Sequence, residues 1–312
     1  VKAFHISAND AGQRVDKFLT KAAPALPQSL LYKAIRKKDV KLNRKRCEIS
    51  TRLAEGDLLE VYLHDDVFLL PDQSAQAFLR APAQVDAVYE DDNILVLNKP
   101  QGLIVHEDDK EVVDTLINRV LHYLYGKGEY DPAAENSFVP ALCNRIDRNT
   151  AGLVLAAKNA PSLRVLNQKI KDREITKLYR CLVFGTPEPP HAMVKAFLLK
   201  DESKNQVRVY DHPVEGARTA ITEYTLLERR GPVSLLEVNL HTGRTHQIRA
   251  HMAYLGHPLV GDTKYGTAAQ NRDSGYRFQA LCAWKMSFDF TTPAEHLEYL
   301  KGKAFTVPVL PF

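Results

Sequence analysis

The chain has 312 residues, 26% of them charged and 45% hydrophobic, with a formal net charge of +4. That length supports two domains with a sizeable core, and 15 Gly with 17 Pro exclude a collagen-like or low-complexity chain. No apolar run reaches the length of a membrane-spanning helix, and Val1–His5 lacks the apolar stretch of a secretion signal. Cys47, Cys143, Cys181 and Cys282 lie far apart with no C-x-x-C pair. Neither a disulfide frame nor a zinc knot is expected, and a reduced, cytoplasmic setting fits.

The first 65 residues read as a small α+β module. Val15, Phe18, Leu19 and Ala22 repeat at helical spacing. A second helix is expected from a Ser29 cap, with Leu31, Ala34 and Ile35 as its apolar stripe. Lys33, Arg36 and Lys37 fall on the opposite face. Strand signals follow at Val40–Leu42 and at Leu59, Val61 and Leu63. Leu30 to Arg46 carries eight basic residues, Lys41 and the turn Asn43–Arg46 among them, against the single acid Asp39. That segment is +7 and the remainder −3, so a local basic face on a near-neutral body points to a polyanion, most simply RNA. A merely solvated charged face is the plainer alternative.

Residues 66–84 lose periodicity, include Pro71, Gln73 and Pro82, and read as a linker. A larger domain is expected over 85–312. Val88-Tyr89 and Ile94–Leu97 flank a hairpin turn, and Ile117, Val120, Leu121 and Leu124 mark a helix started near Asp114. Leu153–Ala157 is strand-like, and Asn159-Ala160-Pro161 opens a helix. Lys177–Phe184 and Leu235–His241 are further strands, and Gly256 closes a helix carrying Ile248, Met252 and Leu255. The expected fold class is α+β, a large and mostly antiparallel sheet with flanking helices.

Chemistry-bearing residues concentrate in three places. Asn144-Arg145-Ile146-Asp147-Arg148-Asn149-Thr150-Ala151-Gly152 leads into an apolar strand. An acid between two arginines should stay charged, because nearby positive charge favours the carboxylate. It can serve as nucleophile, base or structural ion pair. No second acid lies close in sequence, which argues against a two-carboxylate glycosidase. Leu240–His251 ends a strand, turns at Thr242-Gly243, and starts a helix with several donors suited to an anion. Its His246 and His251 are five apart, about 140° around a helix, which is not the i, i+4 spacing of a zinc helix. The third, Lys99-Pro100-Gln101-Gly102, is a tight turn carrying a cation, and no nucleotide-binding glycine motif occurs.

In this order, these segments resemble the RluA-type family of RNA pseudouridine synthases. The resemblance runs through Val96–Gly102, Arg145–Leu153, Lys177-Leu178-Tyr179, Thr242–Arg249 with His251, and Gly256–Asp262 leading to Tyr265-Gly266. The N-terminal module resembles an S4-like RNA-binding domain through Gly12–Leu19, Lys33–Asn43 and Gly56-Asp57. The resemblance implies isomerisation of uridine to pseudouridine in structured RNA, with no cofactor and no metal. The N-glycosidic bond breaks, the uracil rotates, and it reattaches through carbon. Large-subunit ribosomal RNA is the implied substrate class, with transfer RNA, or a non-catalytic ribosome-assembly factor on the same scaffold, as alternatives.

By the same resemblance, Asp147 is the catalytic carboxylate, Arg249 its ion-pair partner, and Tyr179 the ring that packs on the flipped base. Arg145 matches the side chain that fills the gap left in the RNA. Arg14, Lys33, Arg36, Lys37, Lys41 and Arg244 are the expected RNA contacts, and the chain is expected to act as a monomer. Asn144 and Cys282 stand where the family usually has histidine, which leaves substrate choice and the resting place of Arg145 open.

Overall fold

The computed structural model describes residues 1–68, 76–106 and 112–312. The N-terminal segment builds its own small core. Strand β1 (Lys2–His5), helices α1 (Val15–Ala22) and α2 (Gln28–Lys37), and strands β2 (Val40–Leu42), β3 (Lys45–Arg46) and β4 (Leu58–Val61) follow in chain order. The sheet order is β1-β4-β2-β3. Phe4, Phe18, Leu19, Leu31, Ile35, Val40, Leu59 and Val61 form one buried cluster. The helical spacing of Val15, Phe18 and Leu19 turns all three into it, as the periodicity requires. Ser29 does not cap α2. Pro27, its φ held at −59°, stands at the N-cap without a side-chain bond, so the helix starts earlier and Ser29 lies inside its first turn.

Of the stretch expected as a linker, residues 69–75, with Pro71 and Gln73, lie outside the described residues. Phe78, in a short 3₁₀ turn at Ala77–Arg80, is buried in the core of the larger part. That part contains β5 (Ala87–Glu90), β6 (Ile94–Lys99), α3 (Leu116–Gly126), β7 (Ala141–Leu142), β8 (Ala151–Ala157), α4 (Ala160–Lys171) and β9 (Ile175–Phe184). It continues with β10 (His191–Asp201), β11 (Gln206–Tyr210), β12 (Arg218–Arg230), β13 (Val233–Leu240), α5 (Gln247–Tyr254), β14 (Leu281–Phe288) and β15 (Ala304–Thr306). Among the described residues these strands form one 11-stranded sheet, β11-β10-β12-β13-β9-β14-β8-β6-β5, with β15 beside β14 and β7 beside β8. The α+β, mostly antiparallel fold expected from the sequence is the fold observed.

The sheet joins two antiparallel halves through one short parallel contact, Cys282↔Ala151 and Ala283↔Gly152. Every residue of β8 is buried, which is why it reads as an unbroken apolar run. Period-2 alternation sends Leu153 and Leu155 to the face covered by α4, and Val154 and Ala156 to the face covered by α3. Removing one such side chain, as in Leu155→Ala, would cost about 2–5 kcal/mol. Asn159 caps α4 by accepting the Ser162 N–H at 2.9 Å, and Thr115, rather than Asp114, caps α3. A third cluster, of Tyr179, Val238, Leu236, Ile248, Met252 and Leu281, lies under α5. Ile146 packs against both the α3 cluster and the α5 cluster, so the residue beside it, Asp147, stands at the seam between them.

Hydrogen bonds tie the N-terminal module to the larger part. Asp10, fully buried, accepts from Ser137 Oγ at 2.6 Å and Asn136 Nδ2 at 2.8 Å. Asn9 Oδ1 accepts the Ala160 N–H at the start of α4, at 2.9 Å.

Candidate active site

The Asp147 loop is fastened before any substrate arrives. Gly102 N–H donates to the Arg148 carbonyl at 2.9 Å, and Arg148 Nε donates back to the Gly102 carbonyl at 3.0 Å. Lys99 is fully buried at the end of β6. Its ammonium donates to the carbonyls of Pro100, Leu103 and Arg148 at 2.8, 2.8 and 2.9 Å. Three acceptors match three N–H donors, so this lysine ties the Gly102 turn to the Asp147 loop. Burial lowers its pKa to about 7, opposed by the negative charge of Asp147. Asn144, also buried, acts as a piece of strand: its Oδ1 accepts the Leu155 N–H at 2.8 Å and its Nδ2 donates to the Leu153 carbonyl at 3.4 Å. Gly152, just beyond, has φ +110°, and a Cβ there would lie 2.2 Å from the Ala283 carbonyl oxygen.

Asp147 and Arg249, 102 residues apart, meet here: Arg249 Nη1 donates to Asp147 Oδ2 at 3.3 Å. The fork of Arg249 is spent elsewhere. Nε and Nη2 donate to the two carboxylate oxygens of Asp262 at 2.7 and 2.9 Å. Arg249 is 7% exposed and Asp262 1%, so this is a buried bidentate pair. The expected one-to-one pairing of Arg249 with Asp147 is thus a triad in which Asp262 holds the arginine and the arginine's free nitrogen reaches Asp147. The arginines flanking Asp147 in sequence are not its partners: Arg148 turns to Gly102, and Arg145 is exposed.

His246 is the other neighbour, its Nε2 3.9 Å from Asp147 Oδ2. Burial lowers its pKa to about 4, with Asp147 opposing and Arg249 assisting, so the ring is neutral near pH 7. Gln247 organises the preceding turn. Its Oε1 accepts from Thr242 Oγ1 and the Arg244 N–H at 2.8 and 3.0 Å, and its Nε2 donates to Ile221 O and Thr222 Oγ1.

A cavity of about 210 Å³ opens at Asp147, walled by Asn149, Asn205, His246, Arg249, Lys264, Arg277, Phe278 and Gln279 among others. It is smaller than the roughly 300–1,000 Å³ of drug-sized ligand pockets, which suits a single base. Tyr179 is 7% exposed, packed among Ile146, Ile248 and Val238, and is not part of that wall. Burial and the nearby Asp147 charge raise the pKa of its phenol.

The remaining expected residues lie elsewhere. Lys33, Arg36 and Lys37 are exposed on α2. Lys41 lies over the Tyr62 ring at 4.7 Å. Arg14 is engaged by Asp16 at 2.8 and 3.0 Å, and exposed Arg244 donates to the Thr219 carbonyl at 3.1 Å. Asp262, His246 and Tyr265 sit in segments that carry the resemblance, yet nothing in their spacing singles them out.

A sequence profile described as RNA pseudouridylate synthase matches residues 93–254. A "Ribosomal large subunit pseudouridine synthase C" of Haemophilus ducreyi is 33% identical over 307 residues, 95% of this chain and 90% of that protein. An "Uncharacterized RNA pseudouridine synthase" of Chlorobaculum parvum is 33% identical over 265 residues, 84% of this chain and 78% of that protein. The solved structure of human RNA Pseudouridylate Synthase Domain Containing 4 shares the fold, with a TM-score of 0.57 at 21% identity over 76% of this chain and 91% of the human one. With the matched profile spanning the Asp147 loop and the Arg249 helix, the chain belongs to the RluA-type family of RNA pseudouridine synthases.

Proposed function

We propose that this enzyme isomerises uridine in large-subunit ribosomal RNA, with Asp147 as its catalytic carboxylate. The observation that carries the reading is Asp147 itself: a carboxylate at the mouth of a base-sized cavity, held by Arg249, which Asp262 holds in turn. A buried bidentate arginine cannot swing away, so the carboxylate keeps its direction once RNA excludes water. Asp147 attacks the sugar or the uracil ring, or removes a sugar proton; each route needs the same ionised oxygen. Tyr179, close enough to feel that oxygen's charge but outside the cavity wall, packs on the base once the entering nucleotide opens that wall. Arg145, exposed on the same loop, is free to fill the place the flipped nucleotide leaves.

The ribosomal substrate rests on the likeness to the Haemophilus relative named as a ribosomal large subunit pseudouridine synthase. The N-terminal 65 residues act as an S4-like RNA-binding domain, supported by the exposed Lys33, Arg36 and Lys37 on one helix face. The enzyme works as a monomer in the cytoplasm, consistent with four unpaired cysteines, three of them buried. No helix among the described residues is long and apolar enough to cross a membrane.

The test is conversion by the purified protein of deproteinised large-subunit ribosomal RNA, small-subunit ribosomal RNA and transfer RNA, read by mapping carbon-linked uridines. Conversion confined to the large-subunit RNA is expected. Conversion of transfer RNA alone would overturn the substrate, and none in any RNA would overturn the catalytic role of Asp147.

A further inference from the structure

His246 is held in an unusual way. Its backbone is left-handed, φ 51° and ψ 23°, directly before α5, and its side chain makes no capping bond to that helix. A side chain in that region costs of order 1–3 kcal/mol and persists only where its surroundings demand it. Those surroundings are Tyr265 and Asp147. His246 Nδ1 lies 2.9 Å from Tyr265 Oη, and the two rings meet edge to face at 5.6 Å. Its Nε2 faces Asp147 Oδ2 at 3.9 Å.

The donor directions follow from the far end of this chain. Val207 N–H donates to Tyr265 Oη at 2.8 Å. A backbone N–H can only donate, so the phenol oxygen accepts there and keeps its own proton to give. Burial pushes the Tyr265 phenol up to about 12, so it holds that proton at working pH. Among the described residues His246 Nδ1 is the one acceptor within reach of that proton, so the phenol donates to it, and a neutral imidazole that accepts at Nδ1 carries its proton on Nε2. The Val207 end is itself anchored: Gln206 Nε2 donates to the Lys264 carbonyl and Lys264 Nζ to the Asn205 carbonyl, both at 2.7 Å.

We propose that His246 is a positioning residue for Asp147, its Nε2–H aimed at the carboxylate by the hydrogen-bond chain from Val207 through Tyr265. This rests on Asp147 being the catalytic group. A carboxylate saturated by short hydrogen bonds is stabilised as the anion and becomes a poor base. At 3.9 Å the N–H dipole orients Oδ2 without a hydrogen bond, and Arg249 contributes a second contact at 3.3 Å. The oxygen is aimed and still available to the substrate. The β10–β11 hairpin, whose Asn205 already walls the cavity, is thereby also tied to the orientation of Asp147.

The test uses full-length protein and single-turnover conversion of uridine, with RNA affinity and thermal midpoint measured alongside. His246→Asn keeps a residue that tolerates the left-handed backbone but cannot span from Tyr265 to Asp147. It should slow turnover about tenfold or more, as loss of orientation does, with RNA affinity and midpoint nearly unchanged. Tyr265→Phe keeps the ring and loses the donor. It should slow turnover comparably, and the double variant should be no worse than either single one, because the two act as one unit. In the free protein the ¹⁵N resonances of His246 should report a proton on Nε2. A His246→Asn rate within about twofold of wild type, additive losses, or a proton on Nδ1 would each overturn the proposal. If wild-type protein converts no uridine, the catalytic reading of Asp147 fails instead, and the ¹⁵N spectrum still decides the hydrogen-bond chain.

Discussion

Arg249 gives its two-pronged grip to Asp262, at 2.7 and 2.9 Å, and reaches Asp147 only with its remaining nitrogen, at 3.3 Å. The division has a physical logic. The short bidentate pair is buried and fixes the guanidinium, while the longer single contact directs the half-buried carboxylate without tying it up.

Arg249→Lys should therefore damage both rate and stability although it keeps the charge. Lysine cannot satisfy both oxygens of Asp262, which is 1% exposed. Breaking a buried pair typically costs about 3–5 kcal/mol, so a stability loss of that order and a rate loss of about 100-fold are expected. Asp262→Asn should slow turnover as well, though Asp262 cannot touch substrate. Urea titration with single-turnover assays checks both, and wild-type rates in Asp262→Asn would mean that Arg249 orients itself.

Asp147→Asn should abolish turnover while RNA affinity stays within a few-fold. The substitution keeps size and removes the anion, and the expected docking charges lie on other elements. Loss of a nucleophile or base costs orders of magnitude, so residual turnover above about a tenth of wild type would count against the assignment.

Neutralising Lys33, Arg36, Lys37 and Lys41 should weaken RNA binding without touching the site. Each lost phosphate contact lowers the log–log salt slope by about 0.7 to 0.9, so four should lower it by about three. Charge removal is a cleaner test than deleting residues 1–65. Deletion would strip Ser137, Asn136 and the Ala160 N–H of their partners Asp10 and Asn9. An unchanged slope would reduce the basic face to a solvated surface.

Acid should destabilise the fold through His251. This ring is fully buried, its Nδ1 is 2.8 Å from Thr222 Oγ1, and its Nε2 has no hydrogen-bond partner among the described residues. Burial lowers its pKa from 6.5 to about 4. Between those values the unfolded chain binds the proton and the folded one does not. Stability is full above pH 6.5 and falls as pH drops toward 4, by at most about 3 kcal/mol from this residue. His246 adds a loss of the same sign over the same window. His251→Leu should flatten the fall measured by urea unfolding across that range, and parallel curves would show that another group is responsible.

Gly152→Ala should be among the most harmful single-methyl changes in the chain. Its Cβ would lie 2.2 Å from the Ala283 carbonyl at a backbone angle of φ +110°. The clash falls on the parallel contact joining the two halves of the sheet, beside the Asp147 loop. A loss of about 3 kcal/mol or more is expected. A variant within about 1 kcal/mol of wild type would mean that the two halves separate easily.

Much of the architecture was legible in local pattern. The apolar run Leu153–Ala157 within β8, the Asn159-Ala160-Pro161 start of α4 and the helical spacing of Val15, Phe18 and Leu19 all encode burial by local pattern, and local pattern is a property of neighbours in sequence. The strands β10, β11, β12 and β14 were not legible in the same way. β12, Arg218–Arg230, turns one polar face outward and ends in four exposed residues, so its apolar signal is diluted.

At the site, residue order and spacing picked out Asp147, Tyr179 and Arg249 by resemblance. Only the tertiary structure decided that Asp262 takes the arginine's fork, that Lys99 fastens the Asp147 loop, and that Tyr265 and His246 link the β10–β11 hairpin to Asp147. The reason is physical. Burial and backbone preference are set within a few residues, whereas a hydrogen bond is won or lost over tenths of an ångström between segments that meet only when the whole sheet has formed.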